Sequence, residues 1–191
     1  MTLRVLVICT ANVCRSPMAA ALLQRSADAA GFDVSVTSAG THRVDLPVDP
    51  QAVKAAAALG IDIAGHVPRE ASSALLHTDG ADLVLTMTRE HLRTLVARDG
   101  DCFSRTFTLL EAVRRAGGLP PSASLESWAD WLAVLGEGRT AGELLRPCAD
   151  DDVADPYGRP LTQVRRAARR LDKAAGTLVA GFPTTVPMVG H

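Results

Sequence analysis

The sequence predicts a single-domain, three-layer α/β/α fold built on a four-stranded parallel sheet in the order 2-1-3-4. Three observations carry that expectation. Residues 3–9, "LRVLVIC", form a continuous apolar run of strand length, the pattern of a strand buried on both faces of a parallel sheet. Strand-like runs then alternate with helix-like ones, which is the rhythm of βαβ units. The 191 residues are 47% hydrophobic and 21% charged, enough to bury one core and unlike a disordered chain. Crossovers between parallel strands are right-handed, so helices are expected on both faces of the sheet.

After the first strand, Ser16 is the expected cap of a helix, Pro17 suits its first turn, and Met18, Ala21, Leu22 and Ala29 recur at helical spacing. Residues 33–40, "DVSVTSAG", alternate like a second strand. Residues 49–60 open on Asp-Pro and close on Gly, as a helix does. Residues 81–87 read as a third buried strand, with a helix over 88–100. A shorter fourth strand, "SRTFTL" (104–109), runs into the helical "LEAVRRAGG". "GGLPPSAS" (117–124) breaks the rhythm. Residues 125–136 then place Leu125, Trp128, Trp131, Leu132 and Leu135 on one face of a cover helix. Residues 148–160 form an acidic, turn-rich loop in which Asp150, Asp151 and Asp152 are expected to be solvated. The last helix, 161–181, turns Leu161, Val164, Ala168, Leu171 and Leu178 inward, and 182–191 is expected to be a loose tail. The domain is thus expected to span 1–181, with 117–148 as a lengthened helical insertion.

A net charge of −1 gives no global reason to expect nucleic acid or an anionic membrane as partner. No apolar run approaches the roughly 18 residues of a membrane span. The N-terminal run lacks the small-residue cleavage pattern of a signal peptide. Cys9, Cys14, Cys102 and Cys148 form no C-x-x-C and no zinc-ligand spacing with histidine, which fits a reduced, cytoplasmic protein with free thiols. No metal or organic cofactor is required by any of these residues. Arg165, Arg166, Arg169 and Arg170 have two readings, a docking stripe for an acidic or nucleic-acid partner and a solvated helix face; the second explains them with less. His66 is expected to pack or hydrogen-bond rather than to catalyse.

The loop from Cys9 to Arg15 has a chemical logic of its own. It joins the carboxyl end of a strand to the start of a helix, where open α/β folds place their ligands. Backbone N–H groups there can converge into an anion nest, and the helix dipole adds partial positive charge. The planar fork of Arg15 matches two oxygens of a phosphate. Such a field favours the thiolate, the nucleophilic form of a cysteine. The expected result is a thiolate aimed at a bound phosphoryl group.

The string "VICTANVCRSP" resembles the low-molecular-weight protein tyrosine phosphatase family, whose loop reads Cys-x-Gly-Asn-x-Cys-Arg-Ser. The resemblance continues in "TSAGT" (37–41), "PVDPQAV" (47–53), "GIDIAGHVPR" (60–69), "ADLVLTMTREH" (81–91) and "DPYG" (155–158), and leaves 117–148 outside it. It implies that Cys9 takes the phosphoryl group as a phosphocysteine and that Arg15 binds its equatorial oxygens. Asp155 is implied as the general acid that protonates the leaving phenolate and then activates water. A phenolate whose conjugate acid titrates near ~10 leaves better with a delivered proton, worth about 10²–10⁴ in rate. The loop residues Ala11, Asn12, Val13, Cys14, Arg15 and Ser16 are implied to hold the phosphate, with Asn12 keeping the loop open and Ser16 donating to the thiolate. Tyr157 is implied beside the substrate ring. The implied ligands are a phosphotyrosine-containing protein or an aryl phosphate, with inorganic phosphate or sulfate in the loop. For Cys14 two readings stand: a small buried filler, or a reversible disulfide with Cys9 that shields the nucleophile.

Two departures bear on activity. Ala11 stands where relatives carry glycine, and a left-handed alanine would cost about 1–2 kcal/mol. His42 or Arg43 falls where many relatives have an aromatic wall, which leaves Tyr157 without a partner across the substrate ring. Low activity on simple aryl phosphates is therefore expected. Val13 is aliphatic, as in tyrosine-directed relatives; relatives acting on phosphoarginine carry threonine there. Two other readings remain. A non-catalytic phosphate- or phosphoprotein-binding module gains from Ala11 and loses from the joint presence of Cys9, Arg15, Ser16 and Asp155. An arsenate reductase-like enzyme needs relay thiols, and Cys102 and Cys148 are far apart in sequence.

Overall fold

Strand β1 (Leu3–Cys9) lies inside a four-stranded, wholly parallel sheet, between β2 (Val34–Gly40) and β3 (Leu83–Thr86), and β4 (Thr106–Thr108) pairs with β3 at the far edge. The order β2-β1-β3-β4 is the expected one. The structure is a computed structural model that describes residues 2–42, 45–77, 80–119, 125–145 and 149–183.

Because successive side chains of a strand point to opposite faces, β1 splits its residues between two cores. Leu3, Val5, Val7 and Cys9 enter the larger one, under α1 (Arg15–Ala29), α2 (Pro50–Ala57), α5 (Leu109–Gly117), α6 (Trp128–Gly136) and α7 (Leu161–Ala180). Leu6 and Ile8 enter the smaller one, with Leu76 of α3 (Ser73–Leu76), Leu95 of α4 (Arg89–Arg98) and Cys102.

Local chemistry sets the element ends. Asp49 caps α2 by accepting from the N–H groups of Gln51 and Ala52 at 2.8 Å, with Pro50 in the first turn. The fourth strand is shorter than expected. A 3₁₀ turn over Gly100–Arg105 precedes it, and Thr108 and Glu111 form a capping box that starts α5 at once. In α1, Met18 and Leu22 are buried as expected, but Leu23 and Ala27 complete the inner face while Ala29 is exposed. α6 buries Trp128, Trp131 and Leu135, with Leu125 just ahead of it.

The expected loose tail is docked at its start. Phe182 is 1% exposed and meets Phe32, Trp128 and Trp131 edge-to-face, with ring centroids 5.1–5.4 Å apart. Trp131 Nε1 donates to the carbonyl of Gly181 at 2.8 Å. The tail from residue 184 onward lies outside the described residues.

Candidate active site

β1 ends at Cys9, the chain turns through residues 10–14, and α1 begins at Arg15. Ser16 does not cap this helix. Cys14 stands at the cap position and makes no side-chain cap bond, so no side chain consumes the first-turn N–H groups on which an anion would be held. Instead the Ser16 Oγ lies 3.0 Å from Cys9 Sγ, with both residues buried.

The loop is seated on the end of β2. Gly40 pairs with Cys9 in the ladder, and a Cβ there would come within 2.7 Å of the Thr10 carbonyl oxygen. Glycine is required at this spot because backbone faces backbone. Both ends of the next segment are stitched to the loop: the N–H of Thr41 donates to Cys9 O, that of His42 to Thr10 O, and that of Asp49 to Val13 O.

Asn12 organises the interior, and its donors and acceptors can be assigned without ambiguity. The Arg69 backbone N–H donates to Asn12 Oδ1 at 3.1 Å, which fixes that atom as oxygen. Asn12 Nδ2 then donates to Ser16 Oγ at 2.9 Å and Ser38 Oγ at 2.8 Å. His66 Nε2 faces two acceptors, Asn12 O and Oδ1, at 3.0 and 3.1 Å, so it carries the proton. Burial chiefly, with Arg69 nearby, pushes the His66 imidazolium below its ordinary range, partly offset by the Asn12 carbonyl. With its acceptor side taken by Asn12, the Ser16 hydroxyl is left to donate towards Cys9 Sγ or, at 3.4 Å, the Ala39 carbonyl.

Arg15 is 4% exposed and reaches across to the acidic loop. Its Nη1 donates to Val153 O at 3.1 Å, and its Nη2 donates to Asp155 Oδ2 at 2.7 Å and to Thr10 Oγ1 at 3.3 Å. Asp155 is itself half-exposed and accepts from the Tyr157 N–H through Oδ1, an Asx turn that aims the carboxylate. Behind Thr10, His91 spans two hydroxyls: Nε2 lies 2.9 Å from Thr10 Oγ1 and Nδ1 lies 2.8 Å from Thr88 Oγ1. Burial and the Arg15 charge lower the His91 pKa to about 4, against a smaller opposing pull from Asp155.

The acidic run is not the solvated stretch expected. Asp151 is 2% exposed and pairs with Arg89 at 2.9 Å and Arg114 at 3.3 Å; Asp152 accepts from the Arg89 N–H at 2.8 Å; only Asp150 stays at the surface. The Val153 N–H donates to Met87 O at 2.8 Å. Together these bonds pin Asp151, Asp152 and Val153, just ahead of Asp155, to the end of β3, the start of α4 and α5.

Other sequence expectations meet mixed outcomes. Ala11 is not left-handed; the non-glycine residue with positive φ among those described is Asn12, at 57°. The strain foreseen at Ala11 therefore does not arise, because the loop assigns the left-handed step to a residue type that tolerates it. Cys9, Cys14 and Cys102 are free and buried. Burial, with Asp49, Asp155 and Cys9 adding to it and Arg15 opposing, pushes the Cys14 thiol up to about 12. Cys102 belongs to the core on the opposite face of the sheet from Cys9, which removes it as a direct relay; Cys148 lies outside the described residues. His42 is exposed at the mouth of the 41–49 segment, and Arg43 lies outside the described residues. Tyr157 is half-exposed. Val13 is buried in the larger core.

Ser38, Gly40, Arg69 and His91 were given no role by sequence reasoning, although each sits inside a quoted motif. For Ser38 and Gly40 the missed signal is that a short polar residue and a glycine end β2 beside the loop, where hydrogen bonds or close approach are their use. Arg69, from the chain after α2, and His91, from α4, reach the site only through the tertiary fold. Leu46, 46% exposed, is the large apolar residue displayed by the 41–49 segment among its described residues. Among the described residues, no cluster of histidine, cysteine and carboxylate side chains is placed to hold a metal, and no helix is long and apolar enough to cross a membrane.

Comparison with known proteins agrees with this geometry. A family model described as low molecular weight phosphotyrosine protein phosphatase matches residues 4–118. The chain is 35% identical over 135 residues to a probable low molecular weight protein-tyrosine-phosphatase, EpsP of Ralstonia solanacearum, covering 70% of this chain and 89% of that protein. It is 36% identical over 115 residues to a protein-arginine-phosphatase of Bacillus subtilis, covering 60% and 75% respectively. The solved low molecular weight protein tyrosine phosphatase of T. tengcongensis superposes with a TM-score of 0.71 at 30% identity, over 94% of this chain and 99% of that one.

Proposed function

The chain belongs to the low molecular weight phosphotyrosine protein phosphatase family, and on that premise we propose that it hydrolyses phosphotyrosine in proteins through a phosphocysteine on Cys9. The observation that carries the proposal is the convergence, at one buried loop, of Cys9 Sγ on Ser16 Oγ at 3.0 Å and of Arg15 on Asp155 at 2.7 Å.

In this mechanism the phosphoryl group enters the loop and competes with Asp155 for the Arg15 fork. Arg15 turns to two equatorial oxygens, a match of planar donor to planar acceptor pair. Asp155 is released to face the leaving oxygen, and its backbone stays fixed through Val153 and Asp152. The Ser16 hydroxyl donates to the sulfur while Cys9 attacks in line. The loop amides from Ala11 to Ser16 take the oxyanion charge, the kind of interaction whose loss costs about 10²–10³ in rate. Asp155, protonated from solvent once it leaves Arg15, gives that proton to the phenolate as the Cys9 thiolate bonds to phosphorus. It then takes a proton from the water that attacks phosphorus, breaking the sulfur–phosphorus bond to release inorganic phosphate and the Cys9 thiolate.

The substrate wall consists of Tyr157 on one side and the 41–49 segment on the other, where Leu46 offers an apolar contact in place of an aromatic ring. That thinner wall, rather than Ala11, keeps turnover of free aryl phosphates low. Val13, with no hydroxyl, favours phosphotyrosine. A second reading, phosphoarginine hydrolysis, is favoured by the likeness to the Bacillus subtilis protein-arginine-phosphatase. The same reading takes 1–181 as the catalytic domain and 117–148 as an addition to it.

Steady-state assays on a phosphotyrosyl peptide, phosphoarginine and a free aryl phosphate test the proposal. The parent is expected to favour the phosphotyrosyl peptide, Cys9→Ser to lose turnover, and Asp155→Asn to fall by about 10²–10⁴. A preference for phosphoarginine would replace the substrate, and an Asp155→Asn enzyme of parental rate would remove the acid.

A further inference from the structure

Resting on the phosphotyrosyl-protein reading, we propose that the cleft between the Asp155 loop and α7 is a subsite for acidic side chains flanking the phosphorylated tyrosine, with Arg166 and Arg170 as their partners. The cleft holds about 500 Å³. Val153, Asp155 and Pro156 form one wall, and Gln163, Arg166 and Arg170 the other.

The helix wall is a consequence of register. Positions 163, 166, 167 and 170 recur at three- and four-residue steps and so share one helical face, while Val164, Ala168 and Leu171 turn to the core. Arg166 and Arg170 are exposed, and neither meets a carboxylate among the described residues. Like charges four apart on a helix repel. The sole carboxylate of α7, Asp172, pairs with Arg25 on α1 instead. The carboxylate inside the cleft, Asp155, is turned to Arg15. Two guanidinium groups thus line a shared concave space whose one carboxylate, Asp155, is engaged by Arg15, on a protein whose net charge is −1. The bias is local to this face.

Asp155 borders both the cleft and the phosphate loop, so a peptide that places its phosphorylated side chain in the loop carries its neighbours over this cleft. Extended residues advance about 3.3 Å each, which brings the first few flanking positions within reach. Each guanidinium presents a fork that suits a carboxylate. Val153, Pro156 and Ala167 give apolar contact for the stem of a glutamate.

The test compares two phosphotyrosyl peptides, one flanked by glutamates and one by alanines, as the ratio of their kcat/KM values. The parent is expected to favour the acidic peptide by about 2- to 30-fold at low salt, the range given by two exposed ion pairs, and by less in half-molar salt. The Arg166→Ala/Arg170→Ala enzyme brings the ratio to about one, and Arg166→Glu/Arg170→Glu inverts it. Arg165→Ala/Arg169→Ala, changed on the same helix beside the cleft, keeps the parental ratio. A parental ratio of one, or an equal fall in the Arg165/Arg169 enzyme, overturns the subsite while the phosphatase reading stands. Absence of turnover with both peptides, beside turnover of phosphoarginine, removes the phosphotyrosine reading itself and the subsite with it.

Discussion

Asn12 stays in the left-handed region because its side chain is held on every side: an amide from Arg69, His66 on its oxygens, and Ser16 and Ser38 on its nitrogen. The loop around it cannot slide over β2, since Gly40 leaves no room for a Cβ beside the Thr10 carbonyl. Gly40→Ala must therefore push the loop outward. Displacements of about 1 Å cost on the order of 10²-fold in rate, so kcat/KM on an aryl phosphate should fall by that much; a parental value would show that the loop is not seated there. His91 adds a pH signature. Its pKa is lowered from 6.5 to about 4 in the folded protein, so between those values the unfolded chain binds the extra proton. The stabilisation is complete above the unfolded value and is lost as pH falls towards the folded one, amounting to about 3 kcal/mol in total. Urea unfolding of the parent and of His91→Gln from neutral pH down to the acid limit should show the steeper acid loss in the parent. Parallel curves would contradict it.

Among the elements, the acid loop shows how much of the site was hidden in the sequence. Three consecutive aspartates read as solvent-facing, yet Asp151 is buried under Arg89 and Arg114. Those partners come from α4 and α5, more than thirty residues away, and no local pattern could name them. The sheet was legible because apolar runs of strand length have few other homes, and the Cys9–Arg15 loop because it sits where a buried strand meets a helix. For Ser16 only the capping role was misread, since a serine before proline looks the same whether it caps a helix or sits on a thiol, and the place beside Cys9 came from the resemblance. Phe182 was misread since its partners belong to α6 and the turn after α1. Asp151→Ala leaves Arg89 without its buried partner, a change that costs about 3 kcal/mol and frees the chain leading to Asp155. Both the melting temperature and kcat should drop; an unchanged kcat would separate the anchor from the site.

Across the whole molecule, the parallel sheet gathers the ends of β1, β2 and β3 at one edge, and the active loop, the 41–49 segment and the acidic loop meet there. The larger core braces this edge from below through α1 and α7, and the smaller core carries α4 and its His91. The central claim is that this assembly makes Cys9 a nucleophile towards phosphorus. Rapid quenching during turnover of an aryl phosphate, followed by mass spectrometry with fragmentation, measures it most directly. A phosphoryl group on Cys9, accumulating further in Asp155→Asn and missing from Cys9→Ala, is the result expected. Turnover with no protein-bound phosphoryl group, or with the group on another side chain, would contradict the account.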